Sequence, residues 1–136
     1  MKVVRLDDIA NTDRQVHAKN WTSRRLLLRR DNMGFSMHDT VLYAGTKTEM
    51  WYKNHLEAVY CIEGKGKLIE KETGTEHEIR PGVLYALDMN DKHILIAEED
   101  LRMICVFNPP LSGKETHDES GAYPLLDDDG NPAAAQ

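Results

Sequence analysis

Glu57, Tyr85 and His93 are the side chains through which this sequence could hold a metal ion. Glu57 lies in NHLEAVYCIEGKG, residues 54–66, and Tyr85 and His93 lie in RPGVLYALDMNDKH, residues 80–93. Carboxylate and phenolate are hard oxygen donors, and an imidazole adds one nitrogen. Three protein ligands leave positions open for water or substrate. An O,O,N set of this kind suits Fe(II) or another mid-series divalent ion better than a closed structural zinc. A phenol holds its proton up to roughly pH 10, so a bound metal would have to favour its loss. Taken on spacing alone, the three residues also have separate explanations: a strand residue, a core residue and a turn residue.

A second group of chemically capable residues sits late in the chain. GKETHDESGAYP, residues 113–124, carries Glu115, His117 and Tyr123 without hydrophobic periodicity. It reads either as a solvated tail or as a loop folded over a site. The one basic cluster, Arg24, Arg25, Arg29 and Arg30, flanks the apolar run Leu26–Leu28. Most of such a cluster belongs at the solvated ends and edge of a strand, with room for one arginine drawn inward to hold a carboxylate. Trp21, Tyr52 and Phe107 serve equally well as core packing or as the walls of a pocket. Thr40 reads as an ordinary β-branched strand residue.

The elements that must position these groups are mostly strands. SRRLLLRRD, GFSMHDTVLYAG, EMWYKNHL, EAVYCIEGKGKLIE, HEIRPGVLYALD, KHILIAEED and LRMICVFNPP are short runs, several rich in Val, Ile, Leu and Tyr, separated by turn residues. Glu63-Gly64-Lys65-Gly66 and Thr73-Gly74-Thr75 predict hairpin turns. A short helical turn is expected near Leu6–Ala10. Asn108-Pro109-Pro110 ends the last strand, because proline donates no ladder hydrogen bond. This spacing predicts an all-β sandwich or barrel.

The whole sequence of 136 residues is the length of one domain. It has no apolar stretch approaching the ~20 residues of a membrane-spanning helix, and the first residues, MKVVRLDDIANTDR, turn polar too early for a signal peptide. Two cysteines, Cys61 and Cys105, make no disulfide framework and read as buried, reduced thiols of a cytoplasmic protein. The net charge of −6 is concentrated late: residues 112–136 hold six acids and one base. Such a distribution offers no footprint for nucleic acid or an anionic membrane. The expected organisation is a barrel over residues 1–111, a segment over 112–123 that covers the site, and a disordered acidic tail over 124–136.

The two central stretches resemble the paired motifs of the cupin superfamily. Glu57 and Gly64 match the glutamate and the following glycine of the first motif, and Tyr85 stands where the second motif has a histidine three residues after the Pro-Gly turn. Trp51 and Lys53 occupy the histidine positions of the first motif, so the usual three-histidine site is replaced and His93 supplies a nitrogen from the next strand.

From about Met1 to Tyr123 the chain is similar to the ectoine synthases, cupin-type enzymes of compatible-solute synthesis under osmotic stress. NWTSRRLLL, NMGFSMHDT, NHLEAVY, RPGVLYALD with His93, VFNPP and above all GKETHDESGAYP carry the resemblance. It implies a cupin-type, jelly-roll-like β-barrel that closes N-γ-acetyl-L-2,4-diaminobutyrate into ectoine with loss of water. It further implies Fe(II) held by Glu57, Tyr85 and His93, substrate contacts from Trp21, Arg25, Thr40, His55 and Phe107, and proton chemistry at Tyr52, Glu115 and His117. His38 lies in the same motifs without an assigned part. The family resemblance also implies a head-to-tail homodimer in the cytoplasm. Two other classes remain open for a barrel of this kind: a non-catalytic sensor of a small ligand, and an iron-dependent oxygenase.

Overall fold

In the computed structural model, which describes residues 1–133, the expected strands appear as ten. They are β1 (Gln15–His17), β2 (Trp21–Leu27), β3 (Ser36–Leu42), β4 (Lys47–Trp51), β5 (Leu56–Glu63), β6 (Gly66–Glu70), β7 (Glu76–Ile79), β8 (Leu84–Leu87), β9 (Lys92–Ala97) and β10 (Leu101–Asn108). The helical turn expected near the N-terminus is α1 (Leu6–Ile9), which buries Ile9. The run SRRLLLRRD does not stay extended to its end: Arg29–Asp31 close a single 3₁₀ turn.

All pairings are antiparallel and fall into two sheets. The larger has the order β1-β2-β3-β10-β5-β8 and the smaller β4-β9-β6-β7. This is the all-β, jelly-roll-like arrangement expected. The core lies between the sheets, because alternate residues of a strand point to opposite faces. Trp21, Ser23 and Arg25 of β2 are buried, as are Met103, Cys105 and Phe107 of β10, Val59 and Cys61 of β5, and Leu95 and Ala97 of β9.

One turn reads differently from the sequence. Residues 73–75 close the β6–β7 hairpin as expected. Gly64 does not close a hairpin: β5 pairs with β10 and β8, whereas β6 pairs with β7 and β9, so the chain crosses there from one sheet to the other. The corner is tight. Gly64 has φ +96°, and a Cβ there would lie 2.1 Å from the carbonyl oxygen of Asp100, so only glycine fits.

After β10 the chain runs from Leu111 to Tyr123 without regular structure, yet Leu111, Ser112, Glu115, Ala122 and Tyr123 are buried. The segment is fastened to the barrel by backbone hydrogen bonds from Arg29 N–H to the Leu111 carbonyl and from Trp51 N–H to the Gly121 carbonyl. Where composition predicts disorder over 124–136, the described part closes a small turn. Asp127 and Gly130 are hydrogen-bonded across it, and Arg29 donates to the Leu126 carbonyl at 2.7 Å. Residues 134–136 lie outside the described residues. Among the described residues, no helix is long and apolar enough to cross a membrane.

Candidate active site

The inner faces of the two sheets, together with His117 and Tyr123 from the segment after β10, line a cavity open to solvent. Seven of the eleven residues singled out from sequence line it: Trp21, Thr40, Tyr52, Glu57, Tyr85, Phe107 and His117. The walls are an aromatic cluster. Tyr52 and Tyr123 stack at 5.1 Å between ring centroids, and Phe107 meets both edge-on at 5.3 and 5.4 Å. The His117 ring lies 4.7 Å from Tyr123 and 5.3 Å from Trp21. Such walls exclude water and leave a few polar groups to orient a ligand.

Glu57 and Tyr85 reach the cavity because β5 and β8 pair in register, Val59 opposite Tyr85 and Glu57 opposite Leu87. Burial pushes the Glu57 carboxyl up to about 8, outweighing the Cys105 thiol beside it. Burial likewise raises the Tyr85 hydroxyl well above the ordinary phenol value. His93, on β9 of the opposite sheet, faces the same region, its ring 6.4 Å from that of Tyr85. Its Nδ1 lies 2.9 Å from the Asp91 carbonyl oxygen. An oxygen of that kind only accepts, so Nδ1 carries the proton and Nε2 presents a lone pair. That Nε2 is buried and has no partner among the described residues. An orphaned, correctly tautomerised imidazole near a buried carboxyl and a half-buried phenol fits a divalent cation.

Arg25 is the inward arginine of its cluster, fully buried. Period-two alternation sends it to the same side as Trp21 and Ser23 and turns Arg24 outward to an ion pair with Asp39. Arg25 donates through Nη2 to the Glu115 carbonyl at 2.8 Å and through Nε to Ser23 Oγ at 3.2 Å. Its Nη1 has no partner among the described residues. The guanidinium also lies 5.7 Å from the Tyr123 ring centroid. A buried cation with one donor unused is equipped to receive an anion.

Proton-handling groups meet at the segment after β10. The Tyr52 hydroxyl and His117 Nε2 are 2.7 Å apart. Burial lowers His117 to about 4, with the Arg25 charge acting in the same sense, and burial raises Tyr52 well above 10. Both are therefore neutral at physiological pH. Glu115 has a different position from the one expected of a base. Its carboxylate accepts from Ser112 N–H, Ser112 Oγ and Gly113 N–H at 2.8 to 2.9 Å. It clasps its own loop and offers Arg25 its main-chain carbonyl. His55 is buried beside Phe107, at 5.9 Å between ring centroids, and is lowered to about 4 chiefly by burial.

Two polar residues, Ser23 and Ser36, escape a reading of the sequence, and His38 is noted there only without a part. Ser23, Ser36 and His38 are buried, with the His38 ring bonded to both serines, and His38 and Cys105 line the cavity. Their only sequence signal is that inward positions of strands β2, β3 and β10 hold polar side chains.

The sequence model of the ectoine synthase family matches residues 1–127. The chain belongs to the ectoine synthase family. It is 57% identical to the L-ectoine synthase of Halalkalibacterium halodurans, covering 95% of this chain and all of that protein. It is 60% identical to that of Desulfatibacillum aliphaticivorans, covering 94% of this chain and all of that protein. Among solved structures, the crystal structure of ectoine synthase from P. lautus aligns with a TM-score of 0.84 at 54% identity, over 93% of this chain and 91% of that one. The chain is thus an ectoine-synthase-type lyase on a cupin-type barrel.

Proposed function

We propose that this chain closes N-γ-acetyl-L-2,4-diaminobutyrate into the cyclic amidine ectoine, with loss of one water. The observation that carries the reading is the buried Arg25, with an unused Nη1, beside an aromatic cavity that also holds a neutral Tyr52–His117 pair.

Arg25 binds the substrate carboxylate, the one permanent anion of the molecule. Trp21, Phe107 and Tyr52 fold the chain so that the α-amine faces the acetamide carbon, converting ring closure into a matter of orientation. Thr40 and His55 complete the polar contacts. His117, neutral because its site is dry, accepts the proton that the α-ammonium must lose before it attacks. Tyr52, bonded to it, holds a proton at its hydroxyl for return to the departing oxygen. The new N–C bond forms, the carbonyl oxygen leaves as water with both amine protons, and the C=N bond of the amidine results. Glu115 supports the chemistry by holding the loop that carries His117 and by presenting its carbonyl to Arg25.

Glu57, Tyr85 and His93 would hold a divalent cation, with Fe(II) suited to the O,O,N set. When bound, the ion supplies a Lewis acid that polarises the acetamide carbonyl, a poor electrophile on its own.

The residues 112–123 act as a cover for the site. The active form is a head-to-tail homodimer in the cytoplasm. In its support, β8 has one neighbour, β5, among the described strands, and Leu56, Tyr60 and Leu84 are exposed along these two strands. An unpaired edge with apolar neighbours calls for a partner, here a second copy. The reading is tested by incubating the purified chain with N-γ-acetyl-L-2,4-diaminobutyrate and following ectoine by chromatography; absence of ectoine with and without Fe(II) overturns it.

A further inference from the structure

His38 sits at the centre of a buried polar chain that the reaction itself does not require. It is 1% exposed, with Ser23 at 1% and Ser36 fully buried. Its Nδ1 lies 3.3 Å from Ser23 Oγ and its Nε2 lies 3.1 Å from Ser36 Oγ. The direction of each bond follows from the neighbours. Ser23 Oγ already accepts from Arg25 Nε at 3.2 Å and from Thr40 Oγ1 at 3.5 Å, so both its lone pairs are engaged and its single hydroxyl proton goes to His38 Nδ1. Nδ1 is then the acceptor, and the neutral ring carries its proton on Nε2, which donates to Ser36 Oγ. Ser36 Oγ in turn accepts from Leu111 N–H at 3.0 Å. The result is one continuous path from Arg25 through Ser23, His38 and Ser36 to Leu111, the residue just before the covering segment. Arg25 also bonds the carbonyl of Glu115, four residues beyond Leu111, so the path closes into a ring of contacts.

We propose that His38 is a positioning residue for ring closure: by accepting from Ser23 and donating to Ser36, it fixes the Arg25 guanidinium and the start of residues 111–115 relative to each other. A neutral imidazole is suited to this because its two nitrogens offer one acceptor and one donor on opposite edges. A protonated ring would have two donors, would lose the bond from Ser23 and would stand as a cation beside Arg25. The Phe107 ring, 5.1 Å away between centroids, seals the other side. His38 acts through Arg25. The inference rests on the reading that Arg25 holds the substrate carboxylate.

The test is a double-mutant cycle in steady-state kinetics, with folding of each variant checked by circular dichroism. His38→Leu removes both hydrogen bonds, and loss of buried partners predicts a fall of roughly 10- to 100-fold in kcat/KM. His38→Gln retains an acceptor and a donor and should recover most of that loss. In an Arg25→Lys background, where the fork is already gone, His38→Leu should cost less than about a third of its single-variant factor. An equal loss in both backgrounds, or no rescue by glutamine, overturns the positioning role. Wild-type kinetics for Arg25→Lys alone instead overturns the carboxylate reading beneath it. If His38→Leu does not fold, Ser23→Ala breaks the same path one step nearer to Arg25 and is read in the same cycle.

Discussion

Replacing Arg25 by lysine keeps a positive charge and should still disable the enzyme. The guanidinium has three separate uses: Nη2 bonds the Glu115 carbonyl, Nε bonds Ser23 Oγ, and Nη1 is left for substrate. A lysine ammonium is one compact centre on a flexible stem and cannot serve these directions together. If it turns to the carboxylate, the buried Glu115 carbonyl loses its donor; if it stays with the carbonyl, the carboxylate loses its partner. Loss of one charge-assisted bond in a buried site is worth about 1.5–3 kcal/mol, or roughly 10- to 150-fold in kcat/KM. The α-carbon bears both carboxylate and amine, so a loosened carboxylate misplaces the nucleophile, and kcat falls along with a rise in KM. Arg30→Lys is the matched control. Arg30 is 45% exposed and faces Asp13 at 3.5 Å, a surface pair worth little. Steady-state kinetics of the two variants decides the matter: indistinguishable constants would refute the carboxylate-clamp reasoning.

The other predictions follow from burial and charge. Glu57→Ala, Tyr85→Phe and His93→Ala should each leave a folded protein with sharply reduced bound Fe(II), measured by elemental analysis after loading; full metal content in all three removes the ligand set. Ending the chain after Leu126 should preserve catalysis, whereas ending it after Pro110 removes His117, Leu111 and Tyr123. The last two are buried hydrophobics worth about 2 kcal/mol each, so that truncation should lower both activity and Tm, and equal activity of the two truncations would remove residues 112–123 from the mechanism. Stability should fall on acidification. His38, His55, His93 and His117 are held below the ordinary value of 6.5 by burial, so below that pH the unfolded chain binds protons the folded chain refuses. Glu57, raised to about 8, works in the opposite sense, and the several histidines outweigh the single carboxyl. Urea unfolding at pH 7 and 5 checks this, and a midpoint that rises at pH 5 contradicts it.

Strand positions were legible because period-two alternation is local. Trp21, Ser23 and Arg25 on one face and Thr22, Arg24 and Leu26 on the other follow from spacing once β2 is recognised, although nothing local says which face is inward. Gly64 shows the limit of turn chemistry: a glycine at positive φ serves a hairpin and a sheet-to-sheet corner equally, and only the pairing of β5 with β10 and of β6 with β9 separates them. Residues 111–123 carry no periodicity because their contacts are distant in sequence, Trp51 to Gly121 and Arg25 to Glu115. Glu115 looks like a free carboxylate in sequence, while its donors, Ser112 and Gly113, stand three and two residues away in a loop whose shape no pattern specifies. The chain of Ser23, His38 and Ser36 is invisible until β2 and β3 are laid side by side.

The most direct test of the whole account is conversion of N-γ-acetyl-L-2,4-diaminobutyrate by the purified chain, followed by chromatography with and without added Fe(II), beside metal analysis of the same sample. The account predicts ectoine formed in step with substrate lost, at a rate that rises with bound Fe(II). Substrate recovered unchanged from the fully metal-loaded, folded protein would contradict it.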